Sequence, residues 1–331
     1  MGISLKKSED QVGLLLHHWD TDGISAASLI LRKFPDFKTM TPSIGNYYLN
    51  EDDRIRIDKI DPDIVVVVDM ALPTDSIGFL KEFGDVFIFD HHLQEKHDVI
   101  IHHNPVISGE SPRRYPSASW VVGEYFGYSA NLLTVLGAFG DREEKLKENE
   151  FAIEIIDELL EEWDTDFETL LMCAEYLDSL YKLGDRKAIE QMPYLLKEVK
   201  KPEDVINIEG LKGNVQKLES AIKSEVEGEM EKLDENVYLK EMDSPYNIIS
   251  TVTRKVAWSA EGKKVIVCNC KFKKGECQIY IRGPIPDSKK IIQKAKEKGY
   301  SAGGKEDVVG MVIPTSDKDD FLKDIVKMLK D

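Results

Sequence analysis

Aspartate and histidine recur in this chain where an apolar strand pattern, or the turn after it, should end. They are His18, Asp20 and Asp22 in HWDTDG, Asp69 closing IVVVVDM, Asp90-His91-His92 closing VFIFDHH, and Asp141 in GAFGDR. In open α/β sheets the carboxyl ends of the strands share one crevice, so residues distant in sequence converge there. Carboxylate oxygens and imidazole nitrogens together suit Mn²⁺, Mg²⁺ or Zn²⁺ rather than a thiolate-seeking metal. The chemistry such a set supports is metal-dependent hydrolysis. An Asp at a strand end often only caps the next helix. Four such places, one of them a DHH triplet, are more than capping explains.

A two-metal site needs a carboxylate shared by both ions on a rigid element. Asp69, after five consecutive aliphatic residues, is the candidate for that position. Asp20 and Asp22 are two apart, so in extended backbone they face the same side. Gly23 then lets the chain turn sharply into a helix, and His91 and Asp141 can complete the shell of a second ion, with neutral imidazole as ligand.

The elements that must position these groups follow from periodicity. Residues 1–142 alternate strands (QVGLLLHH, IVVVVDM, VFIFDHH) with helical stretches (GISAASLILRKF, DSIGFLKEFG, SASWVVGEYFG, NLLTVLGAFG). Continuous aliphatic strands of this kind belong to a parallel sheet covered on both faces. The helix DSIGFLKEFG is expected to start at Asp75 or Ser76 and stop at Gly84, and residues 102–116 to form a loop. From about 148 to 232 the pattern is helical and acidic. A second α/β pattern begins near 236, with strands VYLKEM, KKVIVCNCKF, ECQIYIRG and DVVGMVIP and a basic helix SKKIIQKAKEKG. The expected fold class is α/β: a parallel-sheet catalytic domain (1–185), an acidic helical connection (186–235) and a smaller α/β domain (236–331).

Composition bounds the partners. The net charge of the 331 residues is −17, unevenly spread: −8 over residues 1–140, −16 over 141–250 and +7 over 251–331. The basic C-terminal part has the sign a phosphate-rich ligand needs. The longest aliphatic run, Ile64 to Val68, is far too short to span a bilayer. The N-terminus lacks the apolar core of a secretory signal, so a cytoplasmic location and no membrane partner are expected. Cys173, Cys268, Cys270 and Cys277 make no zinc pattern, and they are expected to pack as structural residues without a disulfide framework.

Taken in order, HWDTDG, VVVVDM, FDHH followed by HNP, and GDR resemble the motifs of the DHH phosphoesterase family. Residues 302–310, Ala-Gly-Gly-Lys-Glu-Asp-Val-Val-Gly, resemble the glycine-rich signature of that family's DHHA1-type accessory domain. The resemblance covers the first 142 and roughly the last 95 residues, and it is nearest to compact archaeal RecJ-like exonucleases. It implies that His18, Asp20 and Asp69 hold one ion, and Asp22, Asp69, His91 and Asp141 the other. It implies two divalent ions, Mn²⁺ in preference to Mg²⁺. His92 would face the scissile phosphate and Asp90 would orient an imidazole. Arg282, Gly303, Gly304 and Lys305 would hold substrate phosphate. Two positions depart from the family pattern. Leu16 stands where many members have the first motif's histidine, with His18, or else His17, as its substitute. Lys305 replaces the signature histidine, keeping positive charge without an imidazole's ability to accept a hydrogen bond.

The activity so implied is exonucleolytic hydrolysis of single-stranded DNA or RNA, 3′-to-5′, with a replication or repair protein as a candidate partner. The alternatives are a phosphoesterase for short oligoribonucleotides, cyclic dinucleotides or 3′-phosphoadenosine 5′-phosphate, and an inactive replication scaffold. Trp19 is expected to pack rather than stack on a base, and Arg113 and Arg114 are candidates for backbone contacts.

Overall fold

The computed structural model describes residues 5–128, 131–260 and 262–330. The chain divides into two compact units: Met1–Tyr181 with Asp185–Asn214, and Lys182–Gly184 with Val215–Asp331.

Unit 1 is built on β1 (Gly13–His17), α1 (Thr21–Lys33), β2 (Lys38–Met40), α2 (Glu51–Ile60), β3 (Ile64–Val68), α3 (Thr74–Lys81), β4 (Asp85–Phe89) and β5 (Ile101–His103). Then come α4 (Ala118–Phe126), α5 (Leu132–Arg142), α6 (Ile153–Glu162), α7 (Phe167–Leu183), α8 (Arg186–Leu196) and α9 (Pro202–Ile206). The strands form one sheet in the order β2-β1-β3-β4-β5, with every pairing parallel. Strand alternation splits its core. Leu14, Leu16, Val65, Val67 and Ile88 pack with Ile57, Ile77 and Leu80 of α2 and α3, while Leu15, Val66 and Phe87 turn to the opposite face. All five residues of β3 are buried, as its unbroken aliphatic sequence requires. Residues 102–116 open with two residues of β5 and are not entirely loop. Helix α3 begins at Thr74, a residue earlier than expected, with Pro73 as its N-cap and no side-chain hydrogen bond to its first turn.

Unit 2 contains α10 (Leu211–Glu227), which begins in the last residues of unit 1, then β6 (Glu231–Asp234), β7 (Val237–Met242), α11 (Ile249–Ser259), β8 (Lys264–Asn269) and β9 (Glu276–Arg282). It ends with α12 (Ser288–Glu297), β10 (Ser301–Lys305), β11 (Val308–Pro314) and α13 (Lys318–Lys330). Its mixed sheet has the order β10-β11-β9-β8-β7-β6. Only the β7–β8 pairing is parallel, and the others are antiparallel. The register of β8 on β9 sets Cys268 opposite Ile279 and Asn269 opposite Gln278. One step further it brings Cys270 onto Cys277, and these two form a disulfide, contrary to expectation. Cys268 stays free and buried. No helix among the described residues is long and apolar enough to cross a membrane.

Candidate metal centre

The order β2-β1-β3-β4-β5 reverses direction between β1 and β3. Ligands of open α/β sheets bind at this kind of switch point, outside the strands' carboxyl ends. His18, Asp20 and Asp22 follow β1, and Asp69 follows β3. The ladder continues one residue past each strand: His18 N–H donates to Val68 O (3.3 Å), Asp69 N–H to Phe89 O (3.0 Å) and Asp90 N–H to His103 O (3.2 Å). The functional side chains thus stand on backbone fixed by the sheet. Asp69 has φ +59°, a left-handed conformation that Asp tolerates better than most residues but that is uncommon outside glycine.

Three overlapping groups of donor atoms result: His18, Asp20 and Asp69; Asp22, His91 and Asp141; and Asp69, Asp90, His91 and His92. Within each group the ligand atoms lie within 4.8 Å of one another. Asp69 and His91 each belong to two groups. His18 Nδ1 is 2.6 Å from Asp20 Oδ2 and 3.4 Å from Asp69 Oδ2. His91 Nε2 is 3.1 Å from Asp141 Oδ2, 3.5 Å from Asp69 Oδ1 and 3.8 Å from Asp22 Oδ2. Yet both nitrogens of His18 and of His91, and Asp69 Oδ1, are buried without an aligned hydrogen bond. These atoms lie close to one another without an aligned bond between them. Buried polar atoms left this way are rare in folded proteins. The arrangement and the mixed oxygen and nitrogen donors fit divalent cations.

Electrostatics agree. Burial, then the negative charges around them, push Asp22 and Asp69 up to about 6, and Asp141 is raised chiefly by burial. Burial opposes charge on His91, but Asp141 and Asp69 outweigh it and carry it to about 11. His18 is likewise raised well above its ordinary value, against burial, by Asp20 and Asp69. Asp20, although buried, is held at about 2 by His18 and the Gly23 N–H. In the metal-free protein, protons on the imidazoles supply the positive charge that the carboxylates require.

Each candidate side chain is braced in turn. Asp22 receives Ala118 N–H (2.6 Å) and Ser119 N–H (2.9 Å) at the start of α4, where the helix favours an anion. Asp20 caps α1 through Gly23 N–H (3.0 Å). A Cβ on Gly23 would lie 2.5 Å from His18 O, and one on Gly137 only 2.2 Å from Asp22 Oδ1. Both glycines are therefore required by close approach. Asp90 accepts from His91 N–H (2.8 Å), His92 N–H (3.3 Å) and Gln94, and sits 2.8 Å from His92 Nδ1. This bond, against burial, raises His92 and leaves the other nitrogen of a half-exposed ring to meet a ligand. Asn104, in the HNP motif, donates to His92 O (2.9 Å).

The structure brings His18, Asp20, Asp22, Asp69, Asp90, His91, His92 and Asp141 together. Asp141 comes from the last turn of α5, not from a strand end or its turn. His17 is not part of the cluster: it is buried, its Nδ1 lies 2.7 Å from His18 O, and burial lowers it to about 4. Arg282, Gly303, Gly304 and Lys305 lie in unit 2. There Val308 of β11 is paired with Arg282 on one side and Lys305 on the other, so the two cations share one row of the sheet. Arg282 is 3.4 Å from Asp307. Gly304, at φ +158°, approaches the Val308 carbonyl too closely for a Cβ. Sequence reasoning missed Ser119, Gly137, Gln94 and Asp178, the last accepting from Thr21 N–H (3.1 Å) and Oγ1 (2.7 Å). Only Gly137, three residues before Gly140 in an apolar helix, carried a visible signal of close packing.

No protein-family model and no curated protein sequence matches the chain. Solved structures share its fold. The DHH domain of a member of the s1p family of ribosomal proteins aligns over 96% of this chain and 86% of its own, with TM-score 0.63 and 17% identity. An exonuclease RecJ bound to manganese aligns over 95% and 89%, with TM-score 0.66 and 14% identity. RecJ from Thermus thermophilus, in complex with Mn²⁺, gives TM-score 0.66 and 13% identity over 97% of this chain. This chain spans about half (52%) of that RecJ. The chain has the two-domain α/β fold of DHH-domain proteins.

Proposed function

We propose that the chain is a metal-dependent phosphodiesterase, an exonuclease that trims single-stranded DNA or RNA. The observation that carries this reading is the convergence of His18, Asp20, Asp22, Asp69, His91 and Asp141 at the switch point, with buried donor atoms unsatisfied. His18, Asp20 and Asp69 would hold one divalent ion, and Asp22, Asp69, His91 and Asp141 the other. Bound ions of this kind activate water and offset charge on attacking and leaving oxygens. Asp69, shared between groups on rigid backbone, would be a ligand common to both. Asp90 holds His92 by Nδ1, so that the opposite ring nitrogen can contact the scissile phosphate and pass a proton to the leaving oxygen. Arg282 and Lys305 would bind phosphates elsewhere on the strand, a guanidinium through paired hydrogen bonds and an ammonium as a point charge. Mn²⁺ is the preferred ion and 3′-to-5′ the polarity, as the family resemblance implies.

End-labelled single-stranded DNA, RNA and dinucleotides, digested with Mn²⁺ and with EDTA, test this reading. Stepwise shortening of strands from the 3′ end, abolished by EDTA, is expected. Cleavage of dinucleotides alone supports the small-nucleotide alternative, and no cleavage of any substrate supports a scaffold.

A further inference from the structure

Tyr47 stands beside the His18–Asp69 cluster with most of its side chain in solvent. It is 62% exposed, whereas its loop neighbours Ile44 and Leu49 are buried. Its ring stacks on His18 at 5.6 Å between centroids and 26° between planes. Trp19, 4% exposed, closes the group from inside at 5.3 Å from Tyr47 and 4.1 Å from His18. Trp19 packs, as its sequence context suggests, and Tyr47 is the member that faces solvent.

The loop that presents Tyr47 is fixed at both flanks. Asn46 N–H closes a turn on Ser43 O at 2.9 Å, with Gly45 at φ +87°. Asn50 Nδ2 donates to Ser43 Oγ at 2.9 Å, and Leu49 N–H to Ser76 Oγ at 3.1 Å. An exposed ring on an anchored loop, with one face against a proposed ligand, offers its other face to a planar partner. A bare phosphate has no use for that face. A nucleobase does, since every base can stack on an aromatic ring whatever its sequence.

We propose that Tyr47 is a stacking residue for a base of the nucleotide whose phosphate occupies the His18–Asp69 cluster. The proposal rests on the phosphodiesterase reading above, and it makes the substrate a base-bearing strand rather than an inorganic or sugar phosphate.

The test compares the full-length, Mn²⁺-loaded protein with Tyr47→Ala and Tyr47→Phe on two strands. One is a short single-stranded oligonucleotide and the other is the same strand with abasic residues at its cleaved end. The wild type is expected to favour the base-bearing strand by about tenfold or more in kcat/KM, the scale of base–aromatic stacking. Tyr47→Ala should bring that ratio close to one by raising KM for the base-bearing strand, and Tyr47→Phe should keep it. A ratio that survives in Tyr47→Ala overturns the proposal. So does an equal loss on both strands, which marks Tyr47 as a brace for His18. Binding of the same strands, followed by fluorescence anisotropy with Ca²⁺ in place of Mn²⁺, repeats the comparison without turnover. A binding preference that collapses in Tyr47→Ala while neither strand is cleaved refutes the phosphodiesterase reading and upholds stacking. Cleavage with an unchanged preference does the reverse. A wild type indifferent to the base in both measurements overturns the proposal.

Discussion

His91 Nε2 lies 3.1 Å from Asp141 Oδ2, joining the end of β4 to the last turn of α5, and the imidazole still has no aligned hydrogen bond. A buried imidazole at this distance from a carboxylate would normally reorient to bond. Packing holds the pair without such a bond, at the cost of unsatisfied polar atoms. The same holds for His18 against Asp69.

The metal-free cluster should therefore be less stable than a neutralised one. Asp69 is raised from 3.8 to about 6, so between those values the folded chain binds a proton that the unfolded chain has released. This contribution to stability is fully present below the lower value and lost as pH rises through the higher one. Asp69→Asn removes the charge while keeping a residue that tolerates positive φ. In EDTA, urea melts should show the variant gaining on wild type as pH rises from 4 to 7, by up to roughly 3 kcal/mol. With Mn²⁺, hydrolysis by the variant should fall by several powers of ten. Activity within tenfold of wild type would remove Asp69 from the shared position.

Gly137→Ala should damage the site from behind. The added methyl would lie 2.2 Å from Asp22 Oδ1 and 2.1 Å from Ser119 Oγ, both held by packing. A loss of about 1–3 kcal/mol in stability is expected, with weaker Mn²⁺ binding. Gly78→Ala, in α3 with nothing within 4 Å of the new methyl, is the control and should be neutral or slightly stabilising. Unchanged Mn²⁺ affinity in Gly137→Ala would show that Asp22 is not a ligand.

Much of this centre was legible because its strands are. IVVVV and VFIF admit few readings other than buried parallel strands, so Asp69 and Asp90-His91-His92 could be placed at strand ends. Asp141 reads both ways, as the close of an apolar strand-like run and as the residue after the helical stretch NLLTVLGAFG, and the helical reading is the one that holds, since a short run such as GAFG does not by itself separate strand from helix. The braces on Asp22 were hidden because the N–H groups of Ala118 and Ser119 belong to the backbone and carry no side-chain signature. The Cys270–Cys277 pairing depends on the register of β8 against β9, which no local pattern states. Gly303, Gly304 and Lys305 of the glycine-rich stretch form part of β10, where positive φ and a close carbonyl call for glycine at position 304.

Metal binding should expel protons. The carboxylates around His18 and His91 favour their protonated forms, against burial, and an imidazole must be neutral to bind a metal. Calorimetry at pH 7 in two buffers of different ionisation enthalpy should give release of about two protons as the centre fills with Mn²⁺. Affinity should consequently rise with pH. Absence of proton release would mean that the imidazoles are not ligands.

Arg282 and Lys305, which flank Val308 in one row of the sheet, should govern the salt dependence of strand binding. Each neutralised phosphate contributes about 0.7 to the slope of log affinity against log salt. Arg282→Ala and Lys305→Ala should each lower that slope by about one phosphate's worth. A shallow slope, with no gain in affinity as oligonucleotides lengthen, would favour a mononucleotide-scale substrate.

In the two-ion reading, Asp69 would join two divalent ions at the switch point of the sheet. Anomalous diffraction from Mn²⁺-soaked crystals measures this directly. The expected result is two peaks about 3.5–4 Å apart, one beside His18 and Asp20, the other beside Asp22, His91 and Asp141, with Asp69 touching both. A single peak, two peaks that Asp69 does not share, or no peak at the cluster would contradict it.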